Sequence, residues 1–327
     1  MAYQPEEYAA YLHEQNYRVI SSKAYLWGSF LWNMFDFGSD HRNEGDVLGV
    51  NTKGLVAFDH KTRKDPFYFY KANWSREPVT YIAGRRYTDR AYPVADVKVY
   101  SNAESVELSV NGASVGTILA AQCEQRTCVF KNVRLAPGKN TVVAVGNHAG
   151  SQVADTVHWS LNTQDVNIAA GRLATGLVTS AGARFGSDHF FSGGRYGPAA
   201  REASAVDVFA QQAAAPVEGI IADALLYQHY RLGDFSYEIP LTSGRYEVTL
   251  GSLEPNTSYR PGDRVFNVKA NGQTVLEKVD ILAEVKDVRT PLRKSFAVDV
   301  SGGRLNLEFD PVKGEAIVSS ISIRRQK

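Results

Sequence analysis

The chain has 327 residues, enough for two or three domains that each bury a core of their own. Its 36 Lys and Arg nearly balance 35 Asp and Glu, so nothing electrostatic favours nucleic acid or an anionic membrane surface, and a neutral or polar partner fits better. No apolar run reaches the roughly 18 residues needed to span a membrane, and MAYQPEEYAAYLHEQ lacks the basic start and apolar middle of a signal peptide.

In chain order, residues 4–21 place Tyr8, Leu12 and Val19 at helical spacing behind Pro5 and an acidic first turn, which predicts an amphipathic helix. Ala24 to Phe37 is too continuously apolar for a half-exposed strand and reads as a strand buried on both faces, as in a parallel sheet. A polar loop follows from Gly38 to Leu48, and a second helix is expected from Asp65-Pro66 to Trp74. That is about one and a half α/β units, too little to close a domain.

From Pro78 the pattern changes to short alternating strands (DVKVYSN, SVELSVNG, TCVFKNV, NTVVAVGN), separated by turn formers at Asn111-Gly112 and Pro137-Gly138. This predicts an immunoglobulin-like sandwich ending near Trp159-Ser160-Leu161. Within it, Cys123 and Cys128 flank what reads as a hairpin, leaving a disulfide and a pair of free thiols both open; a metal site is not expected without a third ligand. A disulfide would point to an oxidising compartment. His148 and His158 read as surface or hydrogen-bonded histidines.

The last segment, 162–327, continues with DFSYEIPL, GRYEVTLGSL, RVFNVKANG, KSFAVDVSG, GRLNLEFD and AIVSSISIR, with Asn271-Gly272 as a hairpin turn. The number and even alternation of these strands predict a two-sheet jelly roll, with Phe235 and Tyr237 as core or face residues of one strand. The fold class is therefore mainly β with a leading α/β piece. Plentiful Tyr, Phe and Gly with little Met is a balance found in carbohydrate-handling β proteins and in many other β proteins.

Glycoside hydrolysis uses two carboxylates about 5 to 9 Å apart. Asn43-Glu44 is the tempting local candidate, but it sits in a run of hydrophilic residues and reads as a solvated loop. Residues 5–75 nevertheless resemble the end of the catalytic barrel of family 2 glycoside hydrolases, the β-galactosidase and β-glucuronidase family, through LWNMFDFG, RNEGD and NTKGLV followed by KDPFYFYKANW. The resemblance implies that residues 1–77 are the end of a (β/α)8 barrel. It places both catalytic glutamates upstream of Met1, so no catalytic residue is assigned here and the N-terminal part of the same enzyme is an expected partner.

By the same resemblance, Trp32 matches the tryptophan that stacks on the bound sugar, with Asn33 and Asp36 as weaker sugar contacts. Asn51-Thr52-Lys53 resembles the pair that holds a uronate carboxylate in β-glucuronidases, a task suited to an amide beside an ammonium. Galactoside and glucuronide both stay open. Residues 78–161 resemble the sandwich domain that follows the barrel.

Residues 162–327 resemble a malectin-like carbohydrate-binding domain through SDHFFSGGRY, LLYQHYRLGDFSYEIPL, GRYEVTLGSLEP, DRVFNVKANGQTVLEKVDI and IVSSISI. This implies glycan contacts at Tyr227 and Tyr230, then Phe190, Phe191 and Tyr196, with Asp310 a loose match; the competing role is packing alone. No cofactor is implied, and a periplasmic or extracellular parent enzyme is expected. The function expected is the C-terminal part of a β-galactosidase-like retaining exo-glycosidase. The alternatives are a β-glucuronidase-type substrate and a non-catalytic carbohydrate-binding accessory fragment. Left without barrel neighbours, segment 25–37 is expected to expose an apolar edge, so that residues 1–76 pack on the sandwich, pair with another chain or are partly disordered.

Overall fold

The computed structural model describes residues 6–40, 49–162, 165–172, 177–179, 181–198, 224–288 and 290–326, and Asn43-Glu44 lie outside them. The fold is mainly β, and the chain divides into two units, Met1–Asn162 and Thr163–Lys327.

In the first unit the alternating segments form two sheets. One has five strands in the order Asp89–Arg90, Ser151–Leu161, Gly138–His148, Ser105–Val110 and Ala113–Leu119; the other joins Thr80–Ile82, Val94–Ser101 and Thr127–Arg134. Every second residue turns inward, so Val97, Val99, Val106, Leu108, Val142, Ala144, Val157 and Trp159 share one core. Asn111 and Gly112 both take positive φ (52° and 80°), as the tight turn between Ser105–Val110 and Ala113–Leu119 requires. The Arg90 guanidinium lies 3.5 Å from the centroid of the buried Trp159 ring.

Two helices dock on this sandwich: α1 (Glu6–Ser21) and α2 (Asp65–Trp74). Pro66 suits the first turn of α2, where its missing N–H leaves nothing unpaired. Phe69 and Tyr70 of α2 pack into a cluster with Tyr81 and Tyr100 of the sandwich. The Asp65 carboxyl anchors the start of α2, accepting from Tyr81 Oη at 2.7 Å and from the Gly84 N–H at 2.6 Å. Burial, reinforced by the nearby Glu6 carboxylate, pushes Asp65 up to about 8.

The packing face of α1 differs from the expected one. Ala10, His13, Glu14 and Tyr17 face inward: His13 meets Tyr70 Oη at 3.1 Å, Glu14 accepts from Lys98 Nζ at 2.7 Å, and Tyr17 packs edge-on to Phe69. Leu12 and Val19 are exposed. Both stripes satisfy the helical period, and the sandwich selects the one carrying polar partners for Lys98 and Tyr70.

The run from Ala24 to Phe37 is likewise not a strand buried on both faces. Only Phe37–Gly38 is strand, and Trp27 and Phe30 are 91% and 92% exposed. A strand of that kind needs a neighbour on each side, and among the described residues no strand pairs with residues 24–32. Of the outcomes expected for this segment, docking on the sandwich holds for the helices and not for the aromatic run.

Cys123 and Cys128 are joined, their sulfurs 2.01 Å apart, across a turn in which Gln125 and Arg126 take positive φ. That turn touches both helices. Arg18 of α1 pairs with Glu124, Gln125 Nε2 donates to Ser21 Oγ at 3.1 Å, and Asn73 of α2 donates to the Gln125 carbonyl at 2.9 Å.

Most described strands of the second unit lie in two antiparallel sheets, beside a short antiparallel pair of Leu177–Val178 with Arg184–Phe185. Four strands run in the order Val166–Ala169, Ser320–Arg325, Gly244–Ser252 and Leu292–Val300. A larger sheet runs Phe191–Pro198, His229–Pro240, Arg304–Lys313, Val265–Ala270 and Gln273–Val279, with Ala316–Val318 also pairing His229–Pro240. Phe235 and Tyr237 are core residues, and the Phe235 ring stacks on Phe309 with centroids 4.6 Å apart. Asn271 and Gly272 form a second tight turn, at φ 48° and 80°.

Candidate functional site

The site in the first unit is assembled by backbone pairing. Phe37 lies opposite Asn51 and Gly38 opposite Val50, while Asp36 N donates to Val56 O at 2.9 Å and Leu55 N to Asn33 O at 3.1 Å. Segments 33–38 and 50–56 therefore run alongside each other, and Asn51, Thr52, Lys53 and Gly54 form a turn that folds over Asp36. Trp32 is 77% exposed and its ring meets that of Phe37 edge-on, with centroids 6.2 Å apart. Trp32 thus presents an open aromatic face next to the residue that pairs with Asn51.

The polar residues are held differently from one another. Asn33 Nδ2 donates to Phe35 O at 2.9 Å, while its Oδ1 is buried without a hydrogen-bond partner. Asn51 is buried, and its Oδ1 accepts from the Lys53 N–H at 3.0 Å, so the amide braces the turn from within. Lys53 is half-buried. Asp36 is not offered to a ligand: it is 5% exposed and its Oδ1 accepts from Lys64 Nζ at 2.7 Å and from the Gly54 N–H at 2.8 Å. Lys64 was not singled out by the sequence. In KTRKDP nothing local separates it from Lys61, because the carboxylate it meets lies 28 positions away.

In the second unit the aromatic candidates do not form one surface. Tyr227 is buried in a cluster with Phe185, Leu226 and Leu253, so its ring is a core group. Tyr230 is half-buried, and Gly197 leaves the space its ring occupies, since a Cβ there would lie 2.4 Å from it. Burial raises the Tyr230 phenol above its usual range. Phe190 is half-buried and takes a positive φ of 67°.

Phe191 and Tyr196 are exposed on the edge strand Phe191–Pro198. Asp310 sits within a strand opposite Asn267 and pairs with Lys269 Nζ at 2.5 Å. Beneath the Phe191 ring, 3.3 Å from its centroid, lies the Arg231 guanidinium. Arg231 is buried and donates to Asp188 at 2.6 Å, and Asp188 also accepts from Tyr237 Oη at 2.8 Å and from the Gly171 N–H at 2.7 Å. The pattern SDHFF contains this aspartate, but only the fold shows that it braces Phe191 through Arg231.

Comparison with known proteins joins these observations. Residues 165–325 match the malectin domain, and residues 93–154 match a domain of unknown function, DUF4982. A β-glucuronidase from Bacteroides fragilis is 47% identical over 139 residues, which is 42% of this chain and 20% of that protein. Over these stretches the chain is similar to the C-terminal portion of family 2 glycoside hydrolases. A second curated relative of this kind, from Formosa agariphila, is 36% identical over 150 residues, 43% of this chain and 18% of that protein. The chain thus matches about a fifth of the length of these family members. The crystal structure of a Bacteroides uniformis β-glucuronidase covers 98% of this chain and 39% of its own, with TM-score 0.52 and 22% identity, a likeness of fold alone.

Proposed function

We propose that this chain is the C-terminal part of a β-galactosidase-like retaining exo-glycosidase that hydrolyses terminal β-glycosides. Residues 1–77 complete a (β/α)8 barrel, residues 78–161 form an immunoglobulin-like spacer and residues 162–327 a malectin-like carbohydrate-binding domain. The observation that carries the reading is the exposed Trp32 face beside the braced Asn51–Gly54 turn: a flat apolar surface next to an amide and an ammonium suits a pyranose. Trp32, Asn33 and Lys53 line one wall of the sugar site, with the buried Asn51 amide bracing Lys53 from behind, and the N-terminal part of the same enzyme supplies the acid and nucleophile carboxylates, about 5 Å apart for retention.

A glucuronide substrate is the second reading, favoured by the Asn51 amide and Lys53 ammonium in one turn and by the name of the Bacteroides fragilis relative. In the malectin-like domain, Phe191 and Tyr196 are the rings best placed to stack on a glycan, with Tyr230 and Phe190 less open.

Turnover of nitrophenyl β-galactoside and β-glucuronide tests this reading directly. The product of the full reading frame should cleave at least one of them, and the 327-residue chain alone should cleave neither. Turnover by the chain alone would overturn the assignment of the glutamates to a preceding segment. Glycan-array binding that is lost in Phe191→Ala/Tyr196→Ala supports the malectin-like domain as a binder; no binding at all leaves that domain with a packing role.

A further inference from the structure

We propose that the buried Asp36–Lys64 pair positions the Asn51–Gly54 turn and so sets how the Trp32 wall discriminates anionic from neutral sugars. The inference rests on the reading of Lys53, braced by Asn51, as a sugar contact.

A buried carboxylate must be matched by donors, and among the described residues Oδ1 of Asp36 accepts from Lys64 Nζ at 2.7 Å and from the Gly54 N–H at 2.8 Å. The same ammonium donates to the Thr52 carbonyl at 2.9 Å. One cation thus ties the carboxylate to the middle of the turn, and the carboxylate holds the end of the turn directly. The backbone approach is close enough to require glycine: a Cβ on Gly54 would lie 2.2 Å from Asp36 N and 2.3 Å from the Phe35 carbonyl carbon.

Backbone pairing holds the two ends of the turn, Asn51 opposite Phe37 and Leu55 N donating to Asn33 O at 3.1 Å. Thr52 Oγ1 and Asn33 Oδ1 are buried without hydrogen-bond partners. Within the turn, the Asn51 side chain caps the Lys53 N–H at 3.0 Å, which fixes Asn51 and Lys53 relative to each other. Between those paired ends, Asp36 and Lys64 hold Gly54 and Thr52, the residues on either side of Lys53, and so set where Lys53 lies against the wall. Neither of these two needs to touch substrate; they are positioning residues.

An ion pair that served only stability would affect every substrate alike. A positioning pair changes a ratio. In the full-length enzyme, kcat and KM are measured for nitrophenyl β-glucuronide and β-galactoside with Lys53→Ala, Asp36→Ala, Lys64→Met and Lys64→Arg.

We expect Asp36→Ala and Lys64→Met to shift the glucuronide-to-galactoside ratio of kcat/KM about tenfold in the same direction as Lys53→Ala, chiefly through KM. Lys64→Arg should restore most of the ratio. A shift with Lys53→Ala but none with Asp36→Ala and Lys64→Met overturns the inference, as does a parallel fall for both substrates. No shift with Lys53→Ala overturns the sugar-contact reading, and the inference falls with it.

Amide exchange in the 327-residue chain gives an independent readout. Lys64→Met should speed exchange at Gly54 while leaving the sandwich strands unchanged, and unchanged protection at Gly54 overturns the inference.

Discussion

At the scale of single residues, Arg231 shows how a buried charge can shape a surface. Its guanidinium is neutralised by Asp188, and Phe191 covers it. Arg231→Met would leave Asp188 buried without its cation, so a loss of about 3–5 kcal/mol is expected in urea unfolding followed by circular dichroism. The double variant Asp188→Leu/Arg231→Met should recover much of it. His229 makes a second prediction. Burial, with Arg172 adding to it, pushes its imidazole from 6.5 down to about 4, so the native state keeps it neutral while the unfolded chain takes a proton near 6.5. The unfolded state then binds more protons between these values, and stability is lost as pH falls through that window. Burial raises Asp188, which acts in the opposite sense. The His229 contribution is therefore read as the difference between wild type and His229→Gln, whose melting temperature should fall less from pH 7 to pH 4.5.

At the scale of elements, the disulfide-closed turn 123–128 is one contact that the sandwich makes with both helices. Opening so small a loop costs about 2 kcal/mol on chain-entropy grounds. Reduction by a dithiol should speed amide exchange in residues 124–127 and in the last turn of α1, where Arg18 and Ser21 meet the turn, and should leave 229–325 unchanged. Much at this scale was legible in the sequence. Asp65-Pro66 marks the start of α2 because a proline and an acid both suit a first helical turn, and Asn111-Gly112 and Asn271-Gly272 mark hairpins because both positions need positive φ. What was not legible depends on a partner far along the chain. The stripe Leu12, Val19 and the stripe Ala10, Tyr17 have the same period, and only the sandwich decides between them. Tyr227 reads as a binding tyrosine until Phe185 and Leu253 close around it. Within the site, Trp32, Asn51 and Lys53 stand out by type and spacing, whereas Lys64 acquires its role from Asp36.

At the scale of the whole molecule, exposed apolar surface is unevenly spread. Of the 17 large hydrophobic side chains exposed among the described residues, 11 fall between Tyr11 and Phe58. A surface of this kind drives association in water. The 327-residue chain should self-associate with rising concentration in sedimentation velocity, and Trp27→Ser/Phe30→Ser should shift it towards monomer. On the function proposed above, supplying the proposed N-terminal barrel segment should suppress association in the wild-type chain.

The same aromatic run gives the chain a built-in optical reporter. All four tryptophans, Trp27, Trp32, Trp74 and Trp159, precede residue 163, and only Trp159 is buried. Indole emission is therefore silent about the malectin domain and is dominated by rings in water. Any partner that covers the run will move that emission to shorter wavelength and shield it from a soluble quencher, with no label attached.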